Sequence, residues 1–479
     1  MERHANLIAG DWMAGQSAVT NDNPSDLDQP VGDYDLASVA QLNDAVAAAK
    51  AAQPAWGEAS PQTRFDALDK IGTELLARKD ELGRQLSSEE GKTLAEGAGE
   101  VMRAGQIFKW FASEALRAHG DKMQGLRPGT EMEATREPLG VIGVITPWNF
   151  PIGVASWKVA PALAFGNAVV LKPAELVPAS AWSLAEIISR SGIPAGVFNL
   201  VMGHGSEVGA ALINHRHVAG ITFTGSTRTG RVIAEAAAKR FCRVQLEMGG
   251  KNPLIVLEDA DLDLAAEAAF QGAFLATGQR CTASSRLIVV DSVHDAFVAK
   301  IIERLKKVKI GHALDTETQI GPVVDERQFK QDLSYLEIGR REGAKLAYGG
   351  EVLSRMTRGH YLDCALFTET RNEMRINREE IFGPIAATIR VRDYDEALSV
   401  ANDTEYGLTA ALFTRSLKYA SHFKRHIETG CCAVNLPTAG VDYNAPFGGR
   451  KNSSYGPRET GEIARDFFTI LKTSYIRPA

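Results

Sequence analysis

Between about Ser38 and Leu116 apolar residues recur at helical spacing among Ala, Leu, Glu and Lys, as in LNDAVAAAKAAQPAW and RFDALDKIGTELLARKDELGRQL. The spacing predicts a helical block. Behind it, GDKMQGLRPGTEMEATREPLG mixes turn residues with short alternating segments, which predicts extended chain leaving a domain and returning to it. From Gly140 the period changes. The short β-branched runs VIGVIT, NAVVLKP, VFNLVMG, GITFTGS and RVQLEMGG read as strands, and PASAWSLAEIISRSG, SEVGAALINH and STRTGRVIAEAAAKRF read as the helices between them. Such alternation predicts a parallel sheet covered on both faces. A second strand–helix series starts at NPLIVLED and runs through DLDLAAEAAFQGAFLA, SSRLIVVD and VHDAFVAKIIERLKKV to about residue 450.

Length and composition narrow the class of protein. At 479 residues the chain exceeds what one core usually serves, so two or three domains are expected. Hydrophobic residues at 44% and charged residues at 23% describe an ordinary globular composition, not a disordered or fibrous one. A net charge of −6 gives no broad attraction to nucleic acid or to an anionic membrane, which leaves a small molecule as the expected partner. The opening MERHANLIAGDWMAG lacks an apolar stretch of signal-peptide length, and no window approaches the roughly 18 apolar residues of a membrane span. The expected compartment is the cytoplasm. Five cysteines (Cys242, Cys281, Cys364, Cys431 and Cys432) are an odd number without C-x-x-C spacing, and no H-x-x-x-H pair stands beside a carboxylate. Neither a disulfide framework nor a metal site is expected.

Ligands of open parallel sheets bind beyond the carboxyl ends of the strands, so the residues after each run are the candidates for chemistry. After VIGVIT comes PWNFP, where Asn149 between two prolines is either a turn residue or an amide donor for a developing oxyanion. After NAVVL comes KPAE, where Lys172 and Glu175 are either a surface ion pair or a grip on the hydroxyls of a ribose. After GITF comes TGSTRTG, where Gly225 and Ser226 open a helix whose amides favour phosphate. It is neither the G-x-G-x-x-G fingerprint nor a Walker loop, and GGKN fails the latter test as well. After RVQL comes EMGGKNP, where Glu247 is either a turn carboxylate or a general base. In GQRCTASSR, finally, Cys281 follows Arg280, a cation that favours the thiolate. Taken alone, that thiol reads equally as a buried structural cysteine.

Taken together, PWNFP, KPAE, FTGSTRTG, LEMGGKNP, GQRC, EEIFGP (379–384) and APFGGRK (445–451) resemble the aldehyde dehydrogenase superfamily in order and spacing, over nearly the whole chain. The resemblance implies an α/β fold of two Rossmann-like open domains plus a small β oligomerisation arm. Its implied boundaries are 1–117 and 139–248 for an NAD-binding domain, 249–450 for a catalytic domain, and 118–138 with 451–479 for the arm, making a homodimer or homotetramer. It implies that Cys281 is the nucleophile and Glu247 the base, that Asn149 helps hold the oxyanion, and that Lys158 and Glu459 lie on a proton path. It assigns Lys172 and Glu175 to the adenosine ribose, Gly225 and Ser226 to the pyrophosphate, Glu380 to the nicotinamide ribose, and Trp148 and Phe382 to the flanks of the dinucleotide. A carboxylate at the ribose favours NAD, with NADP possible.

Phe150, Trp157 and Phe447 match funnel positions of the family and form an apolar wall for substrate. Within the family the chain looks most like the branch that oxidises α-ketoglutarate semialdehyde in sugar-acid catabolism, with succinate semialdehyde dehydrogenases as near relatives. Arg280 suits an acidic substrate, since a guanidinium makes charge-assisted hydrogen bonds to a carboxylate; the other reading pairs it within the protein. One departure stands out: where the family has K-x-S-G-x-G-R-E, the segment RKNSSYGPRE puts Ser454 in place of a glycine and adds Pro457. Three rivals are a coenzyme-A-acylating enzyme, opposed by Glu247, a papain-like cysteine hydrolase, whose histidine motif is missing, and a non-catalytic binding protein on this fold.

Overall fold

Four helices, Val39–Glu58, Pro61–Ala77, Lys79–Glu90 and Leu94–Ala115, occupy the stretch of helical spacing in the computed structural model, which describes residues 3–117 and 120–477. Their ends are written in the sequence. Ser38 with Gln41, and Thr93 with Glu96, form capping boxes at the first and last of them, each cap contributing about 1 kcal/mol. Gly91, left-handed at φ 96°, stops the third.

The first large sheet is built from Val141–Ile145, Ala168–Lys172, Phe198–Leu200, Val218–Thr224 and Arg243–Glu247, all parallel. The chain enters at the centre, winds to one side through 168–172 and 198–200, then returns to pair 218–224 with 141–145. That reversal opens a crevice at the carboxyl ends of the two central strands, between the loop beginning at Thr146 and the loop beginning at Gly225. Alternation places Val169 and Leu171 in one apolar cluster and Ala168 and Val170 in another, so both faces of the sheet are buried. The helices covering one face include Leu94–Ala115 and Pro151–Ala164, which also form a wall of the site described below.

The second sheet runs Lys345–Tyr348, Ala365–Thr370, Ile385–Val391, Arg286–Val290, Pro253–Val256, Thr409–Phe413, Cys431–Val434, parallel except at its first strand. The same two-sided burial recurs: Leu254 and Val256 face one cluster, Ile255 and Leu257 the other. A third sheet joins Asp121–Gln124, Glu131–Pro138 and Thr469–Ile476, the last two in an eight-residue antiparallel register.

The structure differs from the sequence reading at the chain ends. The segment from 451 does not act as a unit: Ser454–Tyr455 pairs antiparallel with Leu246 and Glu247 and so extends the first sheet, and only 469–476 joins the third. Positions 118–119 and 478–479 of the expected arm lie outside the described residues. At the other end, Asn6–Ile8 and Asp11–Met13 add two antiparallel strands to the first sheet. Strands of two or three residues are too short to show a period. Among the described residues no helix is long and apolar enough to cross a membrane.

Candidate active site

The loop carrying Cys281 leaves the helix Leu262–Phe274 through three consecutive left-handed residues, Ala276, Thr277 and Gly278. For the first two this conformation is strained, and the surroundings hold it in place. A Cβ on Gly278 would stand 2.1 Å from the Gly383 carbonyl, so the loop needs a glycine there. Asn252 pins the loop from the second sheet: its amide donates to the Cys281 carbonyl at 2.8 Å and to the Ala283 carbonyl at 2.9 Å, and its oxygen accepts from the Thr409 N–H at 3.0 Å. Thr438 donates to the Thr282 carbonyl at 2.7 Å, and Gln279 accepts from the Val324 N–H at 3.0 Å. From the helical block, Glu96 uses one carboxylate oxygen to cap its own helix and the other to accept from the Ala276 N–H at 2.8 Å.

Cys281 lies half-buried on the wall of a cavity of about 310 Å³ that Glu247, Glu459, Phe150, Trp157 and Phe447 also line. Trp157 and Phe447 meet edge to face at 5.2 Å, a fixed apolar surface beside the thiol. Phe150 is held by its neighbours: Pro151 starts the helix Pro151–Ala164 at its first turn, and the Lys92 ammonium sits 4.0 Å from the phenyl centroid. Asn149 is buried with its amide donating to the Gln279 carbonyl at 2.9 Å, which leaves the second amide proton for a further acceptor.

The electrostatics around the thiol reverse one expectation. Burial and then the charges of Glu380, Glu247 and Glu459 push Cys281 up to about 12, opposed by a hydrogen bond from its own backbone N–H. Arg280 does not offset them. It lines the cavity, but its guanidinium is paired with Glu96 at 3.2 Å and donates to the Gln271 carbonyl. A neighbour in sequence is not a neighbour in charge, because consecutive side chains diverge from the backbone.

Glu247 is buried at the end of its strand and lifted well above the usual carboxylate range by desolvation, then by the nearby Glu459 charge. A hydrogen bond from the Ser454 hydroxyl, with Lys158 and Arg458, pulls the other way. Lys158 and Glu459 form an ion pair with side chains 0% and 2% exposed, and Thr222 links them to Gln245. Removing one partner would strand a buried charge, at a cost of about 3–5 kcal/mol. The chain of groups runs from the interior at Lys158 to the cavity at Glu459.

On the far side of the Cys281 loop lies the crevice of the first sheet. Glu175 ties its mouth together, accepting from the Gly205 N–H and facing Lys172 at 3.5 Å and His204 at 2.9 Å. Burial raises the Glu175 carboxyl, but the His204 hydrogen bond, the Lys172 charge and the Gly205 N–H outweigh it and hold it below its ordinary value. Ser226 caps the helix Thr227–Ala238. Trp148 and Phe382 meet edge to face at 5.3 Å. Glu380 accepts from the Gly250 N–H at 2.9 Å and is pushed up by burial to about 7. A Cβ on Gly249 would stand 2.0 Å from that carboxylate, which explains the glycine pair of EMGGKNP as a close approach, not a phosphate loop. The buried hydroxyls of Thr146 and Thr224, at the ends of the two central strands, have no hydrogen-bond partner among the described residues. Orphaned donors at a topological switch point, beside a ribose-sized lysine and carboxylate pair and a helix N-terminus, fit a dinucleotide.

Sequence reasoning singled out the residues of the cavity and the crevice but missed those that hold them. Asn252 entered only as the residue that breaks a Walker pattern, and Ser454 only as a departure from a familiar spacing. Glu96 carried a readable signal, the T-x-x-E of a capping box, yet nothing local said that its second oxygen holds the Cys281 loop.

A sequence profile of the aldehyde dehydrogenase family matches residues 12–474. The chain is 42% identical over 479 residues to the alpha-ketoglutaric semialdehyde dehydrogenase of Bacillus subtilis, covering 99% of this chain and 98% of that one. It is 39% identical over 472 residues to the 2,5-dioxopentanoate dehydrogenase of Saccharolobus solfataricus, covering 98% of each. The crystal structure of an NAD-dependent aldehyde dehydrogenase from Sinorhizobium meliloti superposes with a TM-score of 0.97 at 35% identity, covering 100% of this chain and 96% of that one.

Ser454 gives the site a testable property. Its hydroxyl stabilises the ionised form of Glu247, so Ser454→Gly raises the carboxyl's pKa further. With Glu247 in the proposed role of base, which requires its deprotonated form, the acid limb of the kcat profile moves to higher pH. Steady-state rates across pH check this, and a limb that stays in place or moves down counts against it.

Proposed function

Because the chain belongs to the aldehyde dehydrogenase family, and so oxidises aldehydes with NAD(P), we propose that its substrate is α-ketoglutarate semialdehyde and its product α-ketoglutarate. The observation that carries the reading is the full-length likeness to an alpha-ketoglutaric semialdehyde dehydrogenase and a 2,5-dioxopentanoate dehydrogenase, whose names denote the same substrate, in a chain whose Cys281 and Glu247 face one cavity. Succinate and glutarate semialdehydes are the alternative substrates.

The site residues suit a covalent route. Glu247, with its raised pKa, takes the thiol proton, and Cys281 Sγ adds to the aldehyde carbon to give a thiohemiacetal. The second amide proton of Asn149 and the Cys281 N–H stabilise the oxyanion. A thiol at about 12 is a weak nucleophile near neutral pH until a base engages it, which makes the shared cavity of these two groups the central requirement. Lys172 and Glu175 would hold the adenosine ribose, Ser226 the pyrophosphate beside Gly225, and Glu380 the nicotinamide ribose, with Trp148 and Phe382 against the dinucleotide. A nicotinamide held by these residues would supply the hydride acceptor that the oxidation of the thiohemiacetal to the thioester needs. Glu247 first passes the thiol proton on through Glu459 and Lys158; ionised again, it deprotonates the water that cleaves the thioester, and the departing Cys281 sulfur takes that proton back as the acid is released. An ionised Glu175 repels a 2′-phosphate, which favours NAD over NADP.

The third sheet serves as the oligomerisation arm of a homodimer or homotetramer. Ile470, Leu471, Tyr475 and Ile476 are exposed along one strand of it, more apolar surface than a solvated edge needs. All five cysteines are free, which suits the reducing cytoplasm.

Three outcomes are expected. Cys281→Ala abolishes oxidation of every aldehyde, and Glu247→Gln, which loses the base for thiol activation as well as for hydrolysis, forms NADH about 10²–10⁴-fold more slowly both in the first turnover and at steady state. Steady turnover by the glutamine variant would remove Glu247 from hydrolysis. Across α-ketoglutarate, succinate and glutarate semialdehydes, the first has the highest kcat/KM, and NAD serves better than NADP; a reversed order in either comparison rejects that part of the reading. Light scattering gives two or four times the 51.7 kDa chain mass, and a monomer at working concentration would exclude the arm as an interface.

A further inference from the structure

The cavity beside Cys281 is lined by seven charged side chains, and six of them already have partners. Lys92 is bound to Glu100 at 2.7 Å, Arg280 to Glu96 at 3.2 Å, Glu459 to Lys158, and Glu247 to the Ser454 hydroxyl. Arg103 is the exception. Among the described residues it makes no ion pair and no hydrogen bond, and its only polar engagement is with the face of Tyr443, 5.4 Å from guanidinium carbon to ring centroid. Stacking on a ring leaves the in-plane N–H donors of a guanidinium free to bind a carboxylate.

Its place on the helix Leu94–Ala115 sets what it can reach. Glu96, Gly99, Glu100 and Arg103 follow at three- and four-residue steps, and all line the cavity. Glu96 marks the end of that face nearest the nucleophile, since it holds Ala276 and Arg280 of the Cys281 loop. Arg103 lies seven residues further, about 10 Å along the axis. Trp157 and Phe447 line the same cavity as an apolar wall. One cavity thus holds a thiol, an apolar wall and a half-buried cation with unused donors.

We propose that Arg103 receives the distal carboxylate of a short dicarboxylic semialdehyde and is the residue that selects acidic over neutral aldehydes. The inference rests on the reading of this cavity as the aldehyde site and deepens it. It also transfers the role first considered for Arg280 to a cation that has no carboxylate of its own. The phenol ring behind the guanidinium orients the fork, so a bidentate contact forms without fixing a freely rotating side chain.

The test uses the full-length protein with Arg103→Gln and Arg103→Lys, two aldehydes of equal length (α-ketoglutarate semialdehyde and pentanal), and glutarate as a non-reacting dicarboxylate. In Arg103→Gln the ratio of kcat/KM for the semialdehyde to that for pentanal falls about ten- to a hundredfold, mainly through KM, and lysine restores part of it. Calorimetric affinity for glutarate falls by a similar factor. An unchanged ratio together with unchanged glutarate affinity overturns the proposal, even if the protein oxidises both aldehydes well. A wild-type protein that oxidises neither aldehyde, yet binds glutarate through Arg103, overturns the substrate reading and leaves the carboxylate site standing. Because pentanal turnover and glutarate binding are read on the same preparations, a misfolded variant is recognised as such.

Discussion

A thiol surrounded by carboxylates is the constraint to which the rest of the site answers. Burial, Glu380, Glu247 and Glu459 all oppose a charge on Cys281, and the cations nearby, Lys92, Arg280 and Lys158, are each spent on another acid. The sulfur therefore stays protonated until a base acts on it, and the same desolvation that suppresses the thiolate turns Glu247 into a better proton acceptor. Two groups with opposed charge requirements are tuned by one shared environment. The protein then needs to hold both at fixed positions with little freedom to relax.

That holding is done by backbone contacts and neutral side chains more than by ion pairs. Asn252 ties the Cys281 loop to the second sheet, Glu96 ties it to the helical block, and Gly249 and Gly250 let the strand-end loop approach within contact distance of Glu380 and Cys281. Consecutive left-handed residues at Ala276 and Thr277 survive because these contacts over-determine the loop. Ser454 brings a further segment into the same assembly. By pairing Tyr455 with Leu246, the chain after residue 451 closes the edge of the first sheet and delivers a hydroxyl to Glu247. A departure from a familiar sequence spacing is thus also a change in the electrostatics of Glu247.

Much of this is legible in the sequence. The helical block, the strand–helix alternation and the positions of the strand-end loops follow from periods that each residue shares with its immediate neighbours. The candidate nucleophile, base and ribose-binding pair come instead from the resemblance of the assembled loops to a known family, since each residue alone leaves a structural reading open. Short terminal strands were not legible, because two or three residues carry no period, and neither were the residues that brace the loop from a distance.

Arg280 and Arg103 mark the boundary most clearly. The sequence by itself determined that an arginine stands next to Cys281 and that another lies on a helix far upstream; it also determined the elements that carry them. Only the tertiary structure decided their partners. Packing brings Glu96 across 184 positions to neutralise Arg280, and leaves Arg103 on the cavity wall with an aromatic ring and, among the described residues, no acid. Secondary structure is set by interactions within a few residues, whereas charge pairing is set by which surfaces meet in the core, and no local pattern encodes that meeting.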